Sequence, residues 1–280
     1  MWAVLFKLRV VALLLFAAVG GAFLAADGWP GTGRMLILLV TGTLAAGGSA
    51  VINQYLERDT DALMERTRER PLPAGDLPHS RALPIAGALM VLLPALGVLP
   101  FNRPLAVFLL AGALIYTGIY TVWLKPRTPL NVVVGGAAGA AAVLSGSAAA
   151  GAWDATPALV LALIVFLWTP THFWSLAILY RDDYERGGIP MLPTQTSLRR
   201  AAGWVFLHAA AAALGVILLA AYPTVGLLYA LPTGVATLIL LGKGLRLLRH
   251  PQKENARSLF IVSNIYLGIV LLSICLDALL

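Results

Sequence analysis

Nine apolar runs of about 19 to 24 residues, joined by short polar connections, leave this chain few folds to choose from. They fall at about 8 to 26, 35 to 56, 82 to 100, 104 to 123, 132 to 150, 157 to 180, 201 to 221, 224 to 242 and 257 to 279. A helix rises 1.5 Å per residue, so each run can cross a hydrocarbon core of about 30 Å. The apolar residues come in continuous runs rather than amphipathic stripes. Together with 59% hydrophobic and 12% charged residues, this excludes an ordinary soluble domain. The first run has Lys7 and Arg9 at its flank and could pass for a signal peptide, but its length and the many later spans favour a retained helix. The expectation is an all-α polytopic membrane protein of nine transmembrane helices, forming a single domain over residues 1–280.

An odd number of spans puts the termini on opposite sides. The N-terminus and the loops after spans 2, 4, 6 and 8 then share one side, and they hold all but Arg34 and Arg103 of the 20 basic residues. By the positive-inside rule this side is the cytoplasm of a cell (inner) membrane, with the C-terminus opposite. The pI near 9.9 is therefore a topology signal and does not point to nucleic acid. Most of the 13 acidic residues lie on the same side, and the span interiors carry few polar groups, unlike those of a pump or channel. The lone Cys275 excludes an intrachain disulfide and a cysteine metal cluster.

The densest chemistry is the stretch NQYLERDTDALMERTRERPLPAG, residues 53–75. Asn53, Glu57 and Asp61 stand at i, i+4 and i+8, on one face of a helix leaving the membrane, and Arg66 and Arg70 repeat the spacing in cationic form. Hard oxygen donors followed by guanidinium forks suit a diphosphate held through Mg²⁺. The bland alternative is a solvated loop. Against it, Glu57, Asp61, Glu65 and Glu69 form a like-charged i, i+4 series toward a helix C-terminus, where acids are unfavourable and a bound cation would offset the cost.

In WLKPRTPLN, Lys125 and Arg127 stand close to the membrane surface, as topology determinants or as diphosphate ligands. Span 6 reads FLWTPTHFWSLAILYRDDYERGGIPMLP. Pro170 within it should kink the helix. His172 follows, as an interhelical hydrogen-bonding group, an iron ligand or orienting contact for haem, or a base or water-positioning residue. Asp182, Asp183 and Glu185 make a second acidic cluster at the same mouth, and two clusters could hold two Mg²⁺ ions, one from each side of a diphosphate. Eleven residues separate His172 from Asp183, so they share a face if the helix runs on. The small residues of span 5, Gly135, Gly136, Gly139 and Gly146 among them, serve close helix packing or leave room for a bulky flat ligand. Asn264 and Tyr266 in span 9 read as interhelical hydrogen-bond formers.

These stretches, with ARSLFIVSNIYL and the opening FKLRVVALLLF, resemble the intramembrane prenyltransferases of the UbiA type nearly end to end. The first motif marks the family as a whole. The WTPTHFW to GIPMLP stretch is similar to its haem-farnesylating branch. The resemblance implies nine helices around a central cavity open to the cytoplasmic side, with motif loops at about 57–81 and 181–200. It implies that farnesyl diphosphate alkylates a vinyl group of haem B, that water adds, and that haem O and diphosphate leave. By resemblance Asn53, Glu57, Asp61, Asp182 and Asp183 hold Mg²⁺ and act catalytically, and Arg66, Arg70, Lys125 and Arg127 bind diphosphate. His172 contacts haem or positions water, and a haem-modifying enzyme or oxidase-assembly factor is the partner downstream. The chain departs from the family pattern at Glu57, where Asp is usual, and at Arg186, where a DxxxD pattern counted from Asp182 would place a carboxylate. The rival readings are a family member acting on an aromatic quinone precursor, a non-catalytic haem-binding assembly protein, and a transporter.

Overall fold

A computed structural model describes residues 1–78 and 80–280. Its elements, with no strand among the described residues, are α1 (Trp2–Leu5), α2 (Leu8–Ala26), α3 (Thr32–Ala62), α4 (Ala82–Val98), α5 (Arg103–Ala113), α6 (Asn131–Ala150), α7 (Thr156–Leu179), α8 (Arg181–Arg186), α9 (Leu192–Gln195), α10 (Leu198–Ala220), α11 (Leu227–Arg249) and α12 (Lys253–Asp277). α5 runs on without a break as a π-helix over Leu114–Leu124. Counting Arg103–Leu124 as one helix, eight of these are long and apolar enough to cross a membrane, and the third expected span is the shorter apolar α4, of 17 residues.

The bundle is built with large side chains outward and small ones inward. Phe101, Leu238 and Ile217 are 90%, 73% and 60% exposed, while Ala17, Ala18, Ala22, Ala148, Ala158 and Ala201 are buried. In lipid, outward apolar groups cost nothing, and helices associate by close van der Waals approach. α2 and α6 show this most sharply. A Cβ on Gly146 would lie 1.7 Å from the Ala18 carbonyl oxygen, and one on Gly21 would lie 2.2 Å from that of Val143. α2, α6 and α7 pack on one another and join the α3, α4, α5 group to the α10, α11, α12 group.

The helix leaving the second apolar run carries Asn53, Glu57 and Asp61 together, as their spacing implied: α3 runs for 31 residues from Thr32 to Ala62, past the end of the apolar run near residue 56. Pro170 lies inside α7, which runs unbroken from Thr156 to Leu179. Pro170 has no N–H to offer the Phe166 carbonyl, and Gly136 of α6 lies against that oxygen, its would-be Cβ 3.1 Å away. α7 then ends. Tyr180 leaves the helical region (φ −109°, ψ 35°), so the condition for His172 and Asp183 to share a helix face is not met.

At the end of the bundle away from the motifs, polar groups are spent on helix termini. Arg34 donates to the Ala150 carbonyl (2.9 Å) and Asn102 Nδ2 to that of Ala148 (2.7 Å), closing the C-terminus of α6. Asp277 of α12 accepts from the Gly226 and Tyr229 N–H groups (2.7 and 3.2 Å) and caps α11 from outside.

Gly146→Val should force α2 and α6 apart and lower the melting temperature in detergent, with a cost of about 3 kcal/mol or more because the obstacle is backbone. Gly234→Ala in α11, where a Cβ meets nothing within 4 Å, should leave the melting temperature unchanged or raise it slightly.

Candidate active site

The last turns of α3 carry Asn53, Glu57 and Asp61 inward, at 1%, 8% and 1% exposure. Each meets a cation from a different part of the chain. Lys7, between α1 and α2, donates to Asn53 Oδ1 (2.5 Å). Lys125, at the end of the π-helix, pairs with Glu57 Oε1 (2.5 Å). Arg70, in the loop after α3, pairs with Asp61 Oδ2 (2.6 Å). Two carboxylates this far from water would be costly alone, and the cations offset that cost.

The π-helix explains how one element reaches this face repeatedly. Asn53 Nδ2 donates to Thr121 Oγ1 (2.9 Å), and Lys7 donates to the Tyr116 hydroxyl (3.0 Å). The Tyr116 and Tyr120 rings stack at 5.9 Å, and the Lys125 ammonium lies 5.8 Å from the Tyr120 centroid. Tyr116 and Lys125 are nine residues apart. That is two and a half turns of α-helix, which would set them on opposite sides, but about two turns of a helix with i→i+5 bonding, which sets them on one side. The wide bonding is visible where Lys125 N–H donates to the Tyr120 carbonyl and Thr121 Oγ1 to that of Tyr116.

Lys7 is held in a left-handed backbone conformation (φ 49°, ψ 47°), an uncommon one for a residue with a Cβ. Gln54 Nε2 fixes the segment before it by donating to the Val4 and Leu5 carbonyls (2.6 and 2.8 Å). Burial pushes the Lys7 ammonium down to about 7, with Glu57 pulling the other way. At Lys125 burial also acts downward, but the Glu57 carboxylate more than reverses it and holds the ammonium above its ordinary range. Sequence reasoning gave Lys7 only a topological role and missed Tyr116, Tyr120 and Thr121.

The second acidic cluster, on α8, lies against the loop after α3. Asp183, 5% exposed, accepts the backbone N–H groups of Glu65 (3.2 Å) and Arg66 (3.1 Å) and pairs with Arg186. Asp182 is exposed and pairs with Lys253 of α12 (2.8 Å), whose hydrogen bond and charge hold its carboxyl below the usual range. Glu185 pairs with Arg181 (2.8 Å). Arg66 faces the rings of Tyr180 and Tyr184 at 5.6 and 5.9 Å. A cleft of about 300 Å³ opens here, lined by Arg66, Tyr180, Asp182, Asp183, Arg186 and Lys253 among others. Arg127 is not brought to it; its guanidinium is exposed and caps the carbonyls of Val122 and Trp123.

His172 sits deeper, between the rings of Trp168 (4.6 Å) and Phe260 (4.5 Å). Its Nδ1 is 2.9 Å from Ser263 Oγ, which directs its own proton to the Phe260 carbonyl. The ring N–H is thus assigned to Nδ1, leaving a lone pair on Nε2. The interhelical hydrogen bond expected of a membrane histidine is present.

Among the described residues no three His, Cys, Asp or Glu side chains form a ready metal cluster. The α3 donors nevertheless suit Mg²⁺ in kind: three hard-oxygen side chains on one buried face, two of them carboxylates, each in contact with a cationic side chain.

A helical bundle with an acidic helix face set against converging cations defines a class. The UbiA prenyltransferase family model matches residues 13–268, and the chain belongs to that family. It is 39% identical over 279 residues to the protoheme IX farnesyltransferase of Metallosphaera sedula, covering 99% of this chain and 96% of that one. It is 41% identical to the protoheme IX farnesyltransferase of Synechococcus sp. (strain JA-3-3Ab), over 94% and 80% of the two chains. Its fold is similar to that of a UbiA homologue from Aeropyrum pernix K1 (TM-score 0.76, 19% identity, 96% and 98% coverage). A UbiA homologue from Archaeoglobus fulgidus, solved bound to GPP and Mg²⁺, gives a TM-score of 0.68 at 16% identity over 98% and 99% of the chains.

Lys125→Ala leaves the Glu57 carboxylate buried and unpaired and should destabilise the protein by about 3 kcal/mol. Lys125→Ala with Glu57→Ala should cost less than the sum of the single changes, read from denaturation in a double-mutant cycle.

Proposed function

We propose that this protein farnesylates haem B: the C1–O bond of farnesyl diphosphate breaks, a vinyl carbon of the porphyrin bonds to C1, and water completes the addition to give haem O and diphosphate. The observation that carries the acceptor is full-length similarity to proteins named protoheme IX farnesyltransferase. The diphosphate half is supported by the α3 face and its cations.

In this reading Asn53, Glu57 and Asp61 hold Mg²⁺, with Asp182 facing the site from the other side of the mouth. Bound there, the ion would neutralise the diphosphate and stabilise it as a leaving group. Arg66, Arg70, Lys125 and Lys7 turn from their present partners to phosphate oxygens, supplying charge where it develops as the C1–O bond opens. Arg127, spent on its own helix, has no part. The departing electron pair goes to the diphosphate and leaves an allylic cation, which an apolar chamber must protect from water until the vinyl group attacks. The second cation forms beside the porphyrin ring, where water adds and loses a proton. His172, with its Nε2 lone pair, is the group we assign to the haem, as iron contact or as the base that positions that water. The product is a substrate for an enzyme or assembly factor that handles modified haem.

The N-terminus and the motif loops face the cytoplasm of the cell membrane in this reading. A cysteine placed at Arg68 in a Cys275→Ser background should react with an impermeant maleimide from that side alone.

Purified protein with haem B, farnesyl diphosphate and Mg²⁺ should yield a farnesylated haem by mass spectrometry, and chelator should abolish it. Glu57→Gln and Asp61→Asn should each lower turnover by about a hundredfold or more. His172→Ala at full activity would remove the haem assignment of that residue. If wild type binds farnesyl diphosphate but forms product only with an aromatic quinone precursor, the haem acceptor is wrong.

A further inference from the structure

The second acidic cluster contains two neighbouring aspartates in unlike surroundings. Asp182 is exposed and pairs with a flexible lysine. Asp183 is 5% exposed, and both of its oxygens are already committed: Oδ1 to the N–H of Glu65 and the guanidinium of Arg186, Oδ2 to the N–H of Arg66. Those two N–H groups belong to the turn that follows α3, where the helix has ended and backbone donors have no partner within it.

Other contacts bind the same loop to α8. Met64 is 2% exposed and lies against Gly187, where a Cβ would meet its Cγ at 3.1 Å. Arg186 also reaches Glu65 at 3.7 Å. Arg66 lies over Tyr180 and Tyr184, which flank Asp183 in sequence. Thr67 Oγ1 donates to the Asp61 carbonyl (2.9 Å), and Arg70 returns to the Asp61 carboxylate. The loop is therefore fixed at its middle by Asp183 and at its ends by α3, so the placement of Arg66 and Arg70 depends on that docking.

The contrast with α3 is chemical. Glu57 and Asp61 are paired with side-chain cations, and exchanging such a partner for a metal ion breaks no backbone hydrogen bond. Asp183 accepts from two backbone amides as well as from Arg186, and releasing it would break the two backbone hydrogen bonds that seat the loop.

We propose that Asp183 is a positioning residue: it clamps the loop after α3 so that Arg66 and Arg70 address the diphosphate, and it does not hold the metal. This deepens the reading of the site given above and rests on it. Metal oxygens then come from α3 and Asp182, and the second cluster contributes architecture as much as charge.

The test uses full-length wild type, Asp183→Ala, Asp183→Asn and Glu57→Gln in detergent, with three readouts. Amide hydrogen exchange is followed over residues 63–70 without metal or substrate, Mn²⁺ binding is followed by electron paramagnetic resonance with the metal alone, and KM for farnesyl diphosphate is measured with haem B. Asp183→Ala should speed loop exchange by about tenfold or more and raise KM by about tenfold, with Mn²⁺ affinity within about twofold of wild type. Asp183→Asn keeps the shape and one acceptor, so its effects should fall between; it also serves if the alanine variant does not fold. Glu57→Gln should show the reverse pattern, weaker Mn²⁺ binding with unchanged loop exchange. A fall in Mn²⁺ affinity of about tenfold in the Asp183 variants, with loop exchange unchanged, would overturn the proposal. If wild type makes no farnesylated haem, the proposed reaction fails, while the exchange and Mn²⁺ measurements still decide the role of Asp183.

Discussion

The structure turns on three oxygen donors that a membrane-spanning helix carries on its buried face. An ionised carboxylate this deep is tolerated only when its charge is matched nearby, and Glu57 and Asp61 are matched by Lys125 and Arg70. The amide of Asn53 is held in the same way by Lys7 and Thr121. These partners come from the N-terminal hook around Lys7, the π-helix with its end, and the loop after α3. The three segments lie far apart in sequence, so the bundle must assemble before the site exists. An arrangement in which cations already neutralise the oxygens is also one that a divalent ion can enter by exchange, with the cations passing to the anionic ligand that accompanies it.

That assembly depends on backbone detail as much as on charge. α2 and α6 approach until only glycine fits at Gly21 and Gly146. Gln54 then secures the hook by its carbonyls, and Lys7 takes a left-handed conformation to turn inward. On the facing element, a helix with wider turns brings Tyr116, Tyr120, Thr121 and Lys125 to one side. π-Helical segments are rare and gather at functional sites, and here the reason is phase: ordinary helical turns would point Tyr116 and Lys125 apart.

The apolar runs were legible because hydrocarbon imposes length directly, and eight of the expected spans correspond to long apolar helices with ends shifted by a few residues. The α3 face was legible because its spacing is that of an α-helix. What spacing could not show depended on irregular backbone. Lys7 looked like a topology charge because nothing in a linear pattern reveals a left-handed turn. Tyr116 and Tyr120 looked like ordinary span residues because α-helical phase was assumed. Arg127 and Lys125 looked equivalent, two residues apart in one basic loop; in the structure Lys125 reaches inward and Arg127 caps its own helix. Asp182 and Asp183 looked like a matched pair, and only the end of α7 at Leu179 separates their surroundings.

The two ends of the bundle use the same kinds of residue for different purposes. At the far end Arg34, Asn102 and Asp277 each satisfy the terminus of a neighbouring helix, so their polarity is consumed in finishing the fold. At the motif end the ionic side chains of α3 bind other side chains across helices, and such contacts can be exchanged for a ligand without unravelling a helix. Asp183 is the exception at that end, since it behaves in part like the capping groups opposite: beside Arg186, its partners are backbone amides. Chemistry and architecture are thus divided residue by residue within one acidic motif, according to whether each carboxylate is held by side chains alone or also by backbone amides.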